Sequence, residues 1–146
     1  LSSLFNHSSL ENHMAKQIFV NLPVADLERA ITFFSALGFT FNAQWTDSSA
    51  TCMIVGENIF VMLLNRERFQ TFTPKPVADA RQTTEVLVCL GLDSRDEVDT
   101  LVRKAVAAGG SIYNEAQDHG FMYGHGFQDL DGHLWELVYL VPQTAE

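Results

Sequence analysis

Basic side chains are scarce. The 146 residues carry nine Lys and Arg against eighteen Asp and Glu, a formal net charge of −9. A surface of that sign repels a phosphate backbone, and no basic cluster offsets it, so nucleic acid is not an expected partner. Cysteine is scarcer still: Cys52 and Cys89 each sit inside an apolar run. Two thiols make no disulfide framework, and both are expected to be buried in a protein of the reducing cytoplasm. No apolar stretch approaches the roughly 20 residues that cross a bilayer. The first residues also lack a basic segment followed by an apolar one, so neither a membrane span nor an export signal is expected.

What remains suits an ordinary folded domain: 47% hydrophobic and 18% charged residues in a chain long enough for one real core and too short for two. The opening "LSSLFNHSSLENH" is polar and unpatterned and precedes Met14. Residues 1–13 are expected to be a disordered leader or an appended tail, whose His7 and His13 could hold a metal only adventitiously. A single domain is expected over 14–142.

That domain reads as one design used twice. In module one (16–64), "KQIFVNLPV" is an apolar strand, Asp26 caps a helix with Leu27, Ala30, Ile31 and Phe34 on one face, and Gly38 stops it. Strands are predicted at 39–46, 50–55 and 58–64, divided by "TDSS" and "GEN" turns. Module two (85–141) repeats the order: a strand at "EVLVCLGL", a Ser-x-x-Glu capping box at 94–97 opening a helix that Gly109 and Gly110 end, then strands at about 111–116, 121–127 and 133–141. Aligning the elements sets Phe19 over Leu87 and Met62 over Glu136. Each βαβββ unit exposes one apolar sheet face, so two are needed to close around a shared interior. The connection, 65–84, has no clear structure; Phe69 and Phe72 either face a ligand there or plug the scaffold.

Two stretches, "LPVADLERAITFFSALGF" (22–39) and "DLDGHLWEL" (129–137), give the chain a resemblance to the vicinal oxygen chelate superfamily, which includes glyoxalase I, extradiol dioxygenases and bleomycin-resistance proteins. The resemblance implies an α+β fold of two βαβββ modules forming a cupped mixed sheet around a shared cleft, commonly in a homodimer. Metal-using members take His, Glu or Gln ligands from the first and last strands of each module. Here those places hold Phe19, Met62, Leu87 and Glu136, and only Glu136 offers a donor to a divalent ion. The reading that follows is a binding protein for a small apolar or aromatic molecule that needs no cofactor. Its alternative is a metal-dependent lyase, isomerase or dioxygenase with a displaced site drawn from Gln17, Glu85 and Glu136, two residues along the strands from the usual places.

The candidate residues follow from strand alternation. Glu136, between Leu134 and Val138, is a general base or a hydrogen-bond acceptor if that face lines the cleft. Tyr123 and His125 share a strand face with Phe121 and Phe127, and transfer protons to a ligand if that face is the pocket's. Asn21 and Cys89 lie beside Phe19 and Leu87; Asn21 is placed to orient a carbonyl, and Cys89 reads as a packed thiol before a nucleophile. The ligand-binding set is thus Phe19, Asn21, Met62, Leu87, Cys89 and Glu136. His119 and His133 fall in turns and are expected to be solvated, although with His125 they suggest a secondary metal site.

Overall fold

The computed structural model describes residues 14–143; residues 1–13, with His7 and His13, lie outside them. Module one contains β1 (Ile18–Val24), α1 (Leu27–Leu37), β2 (Thr40–Asn42), β3 (Ala50–Gly56) and β4 (Ile59–Asn65). A short helix, α2 (Arg66–Gln70), starts the connection, and module two follows with β5 (Leu87–Gly91), α3 (Arg95–Ala107), β6 (Gln117–Asp118), β7 (Met122–Gln128) and β8 (Leu134–Leu140). The fold is α+β, with two four-stranded mixed sheets ordered β1-β4-β3-β2 and β5-β8-β7-β6. In each the first and last strands of the module run parallel and the other pairs antiparallel.

The two longer helices, α1 and α3, start on local chemistry, and α1 also stops on it. The Asp26 carboxylate accepts from the Arg29 amide at 3.1 Å, and Gly38 adopts φ 106° to return its N–H to Ser35. A residue with a Cβ is strained in that conformation, which is why glycine ends the helix. Ser94 Oγ accepts from the Glu97 amide at 3.1 Å, while Glu97 reaches back to the Asp93 amide at 3.0 Å, a capping box displaced by one residue.

Alternation along the strands splits each sheet into two faces. Leu22, Val24, Val61 and Leu63 of the first sheet, Phe127, Trp135 and Leu137 of the second, and the inner stripes of α1 and α3 form one buried cluster. Phe34 meets Trp135 at 5.2 Å and Phe33 meets Phe127 at 6.1 Å between ring centroids, so the helix of module one packs on the sheet of module two. These inner faces are the shared core. Burial of so many large side chains supplies the main folding drive, roughly 1.5–3 kcal/mol for each one fully buried.

Strand pairing bears out the alignment of the modules. Asn21 stands opposite Met62 and Cys89 opposite Glu136, the same rung of the two parallel pairs. Besides the helix α2 in a connection expected to have no clear structure, three features differ from the sequence expectation. The strand expected over 39–46 breaks after Asn42, because the Asn42 side chain accepts from the Gln44 amide and Thr46 Oγ bonds the Asn42 carbonyl, turning residues 43–45 into a single 3₁₀ turn. Residues 111–116 contribute one bridge, Ser111 with Gln128, before the chain leaves the sheet. Cys89 is exposed, not buried like Cys52, since its rung points away from the core.

Candidate functional site

The outer faces carry the candidate residues. On module one Phe19 stacks on Phe60 at 4.9 Å and on Trp45 at 5.8 Å, each pair only 17° from parallel. Met62 and Asn21 form the next rung. The 3₁₀ turn that interrupts the expected strand is what brings Trp45 onto this face, where 53% of it stays exposed. The result is a wall of stacked rings suited to flat or apolar ligands.

On module two Glu136 lies between Cys89 of β5 and Gly126 of β7. The Tyr113 hydroxyl donates a hydrogen bond to Glu136 Oε2. Gly126 makes that approach possible: a Cβ there would sit 2.8 Å from the Tyr113 hydroxyl and 2.4 Å from the Trp135 carbonyl oxygen. Burial, then the bond to Glu136 and its negative charge, push the Tyr113 phenol well above its ordinary range, so it remains a donor. Burial of the sulfur and then the Glu136 charge also raise the Cys89 thiol, which disfavours the thiolate a nucleophile needs. A carboxylate held by one phenol, beside a neutral thiol and below exposed Leu87, can accept a proton or a hydrogen bond from a bound molecule.

Tyr123 and His125 do not join it. Their rungs pair with Tyr139 and Leu137, on the face opposite Glu136. Tyr123 donates to Asp99 of α3 at 2.6 Å with Arg95 over its ring, and His125 Nδ1 is buried with no partner. The aromatic face of β7 is therefore turned to the core and α3, a correction that only pairing register could supply. Phe19 and Met62 lie on one sheet and Leu87 and Glu136 on the other, and none of the three principal pockets is lined by any of the four. None of these three pockets brings the four together within one chain.

The donor set for the family's metal does not fit either. Phenyl, thioether and isobutyl groups stand at three of the four places, and the fourth is bonded to Tyr113. The displaced set fails on distance: Glu136 is level with Cys89, four residues beyond Glu85 and so roughly 13 Å along the strand. Gln17 belongs to the other sheet's end. Among the described residues no group of three His, Cys, Asp or Glu side chains could hold an ion. His119 stacks on Phe121 at the surface while His133 is buried elsewhere, so the histidines make no secondary centre.

His133 instead belongs to a clamp. Its Nε2 donates to the Pro23 carbonyl at 2.6 Å, and Asp131 accepts from the Ala25 amide at 2.8 Å, tying the β7–β8 turn to the end of β1. Asp129 organises the turn, accepting from the amides of Asp131 and His133 and, at 3.0 Å, from the Trp135 indole. Every polar residue of "DLDGH" is spent on structure, which explains why that stretch marks a fold and says little about chemistry. Beside the clamp, under the connection, lies a cavity of about 440 Å³ that includes Asn21 and Phe69; Phe72 is exposed beneath Arg68.

Sequence reading missed Tyr113, Trp45 and Gly126. A signal existed for the first: Tyr113 is the one aromatic residue between Leu92 and Phe121.

A family model described as Glyoxalase/Bleomycin resistance protein/Dioxygenase superfamily matches residues 12–137. Among solved structures the chain is similar to hypothetical protein SA1046 from S. aureus, with 32% identity, TM-score 0.73, and 90% of this chain and 98% of that one covered. It is similar in fold to a glyoxalase/bleomycin resistance protein/dioxygenase family enzyme from Burkholderia phytofirmans PsJN, at 16% identity and TM-score 0.72 over 87% and 100% of the two chains. The fosfomycin resistance protein FosX from Listeria monocytogenes shares the fold at 17% identity and TM-score 0.62, over 92% and 96%. No curated protein matches the chain.

Proposed function

From the premise that the chain belongs to the Glyoxalase/Bleomycin resistance protein/Dioxygenase superfamily, we propose that it binds a small, largely apolar or aromatic molecule without a catalytic metal. The ring wall of Phe19, Phe60 and Trp45, with Met62 and Asn21, forms one half of the site; Leu87, Cys89 and the Glu136–Tyr113 pair form the other. A second copy of the chain brings the halves together, the wall of one protomer facing the carboxylate of its partner.

The observation that carries this reading is the content of the two outer faces. One is aromatic and nearly free of charge, the other holds a single oriented carboxylate, and both leave large apolar side chains open, including Trp45 at 53% and Leu87 at 54%. Faces of that kind are usually covered in a working assembly. The ligand's flat body stacks on the rings, and a hydroxyl or amine on it bonds Glu136. The free thiols suit a cytoplasmic setting, and no described helix is long and apolar enough to cross a membrane.

A melting-temperature screen with flat aromatic compounds tests the reading, since a specific binder stabilises the folded state. A hit is expected to bind about tenfold or more weakly to Phe19→Ala and to Glu136→Gln. Sedimentation is expected to give a dimer. Silence across the panel, or hits indifferent to both substitutions, would end it. Stoichiometric zinc, nickel, iron or manganese in protein purified without a metal-affinity step, lost in Glu136→Ala, would return the case to a metal-dependent enzyme.

A further inference from the structure

The cavity under the connection is a different kind of place from the outer faces, because one chain builds it whole. Its volume of about 440 Å³ falls within the roughly 300–1,000 Å³ typical of small-molecule sites. The connection forms its roof, the end of β1 one wall, and the start of module two the other. Phe69, Val77, Val86 and Leu134 make the interior apolar.

The roof is fastened. Arg66 donates to the Val77 carbonyl at 3.2 Å, Gln70 to the carbonyls of Thr73 and Lys75 at 3.1 and 2.8 Å, and Arg81 to the Leu130 carbonyl at 2.8 Å. Gly132 lets the roof press on the clamp turn: a Cβ there would lie 2.8 Å from the Arg81 amide nitrogen. The hollow is thus preformed, and a ligand entering it has little ordering cost to meet. Four side-chain bonds to carbonyls hold the roof in place, each worth about 1 kcal/mol net.

Two opposite charges line the cavity, Lys75 on the roof and Glu85 just before β5, both exposed and making no ion pair with each other. An apolar hollow bracketed by a separate cation and anion matches one ligand chemistry better than others. We propose that this cavity is a second binding site, for a small zwitterion with an apolar body, the chemistry of a free apolar or aromatic amino acid. Its carboxylate lies on Lys75, its ammonium on Glu85, and its side chain between Phe69 and Leu134. A ligand with one charge leaves the other side chain unmatched, and in a chain of net charge −9 a plain anion is disfavoured at long range.

Calorimetric titration with free phenylalanine, 3-phenylpropanoate and phenethylamine tests the assignment. Phenylalanine is expected to bind, with the two single-charge analogues about tenfold weaker. Lys75→Gln and Glu85→Gln change exposed positions, leave the fold intact, and are each expected to weaken phenylalanine about tenfold; Val77→Trp fills the hollow and removes the signal. Phe19→Ala and Glu136→Gln abolish any phenylalanine held on the outer faces and are expected to leave the part of the signal that Lys75→Gln and Glu85→Gln remove, which separates the two sites. No heat from phenylalanine at millimolar concentration, equal binding of all three probes, or binding unaffected by Lys75→Gln and Glu85→Gln would each overturn the proposal.

Discussion

The two modules share a backbone and differ in what they put on it. On equivalent rungs module one sets Asn21 beside Met62, and module two sets Cys89 beside Glu136. The third strand continues the contrast: Cys52, buried, stands next to Met62, and Gly126 stands next to Glu136. A side chain at the first position closes the sheet over itself. Its absence at the second opens room for Tyr113 to reach the carboxylate. The two sheets share one strand order, and a few outer residues leave the first with a wall of stacked rings and give the second a hydrogen-bonded carboxylate. The inner faces diverged less in kind, since both must exclude water from the same core.

The largest test of that comparison lies in the core. Trp135 is fully buried, stacks near Phe127 and bonds Asp129, while its counterpart on module one is Val61. Trp135→Ala is expected to cost about 3–5 kcal/mol, more than the roughly 2 kcal/mol of Val61→Ala, because it leaves a cavity and also strips Asp129 of a donor. Urea unfolding measures both; equal costs would mean the modules do not lean on the core unequally.

Smaller effects probe the outer faces and the helix starts. Tyr113→Phe removes the donor to Glu136 and is expected to destabilise by about 1 kcal/mol, a modest figure because the pair is partly solvated. The same readout on Asp26→Ala and Ser94→Ala is expected to give about 1 kcal/mol each, the two caps being equivalent devices on the two helices. A clear inequality would show that one helix depends on tertiary packing alone for its start.

Alkaline pH probes the phenols, all of which lie in module two. Tyr113 and Tyr123 both have phenols raised in the folded state, Tyr113 by burial first and Tyr123 by its bond to Asp99 first. A raised pKa means the folded protein keeps a proton that the unfolded chain releases near 10.0. Their contribution is therefore complete below that pH and is lost as the pH climbs past it. Stability measured from neutral to strongly alkaline pH is expected to fall less steeply in Tyr113→Phe and Tyr123→Phe than in the parent. No module-one phenol exists to add to the slope, as the three tyrosines are Tyr113, Tyr123 and Tyr139.

Much of the scaffold was legible before any coordinates. Asp26, Gly38 and the Ser94 box placed the helices because capping is decided within four residues of chain. The correspondence of Met62 with Glu136 was legible because strand order repeats. Tyr123 and His125 were misjudged for a different reason: alternation says which residues share a face and is silent on which face meets the core. Tyr113 escaped because its strand never forms, so its aim owes nothing to local pattern. His133 was expected in solvent as a turn residue and is buried, since its partner is the Pro23 carbonyl, far away in sequence.

Sequence alone determined the two modules, their helices, their rungs and the poverty of metal donors at the family's ligand places, all matters of short-range chemistry or residue identity. Tertiary structure decided which face of each sheet is core, brought Tyr113 to Glu136 across the space that Gly126 leaves, and fastened the connection over a cavity. Those outcomes depend on side chains distant in the chain meeting in space, where packing and register rule and local propensity does not reach.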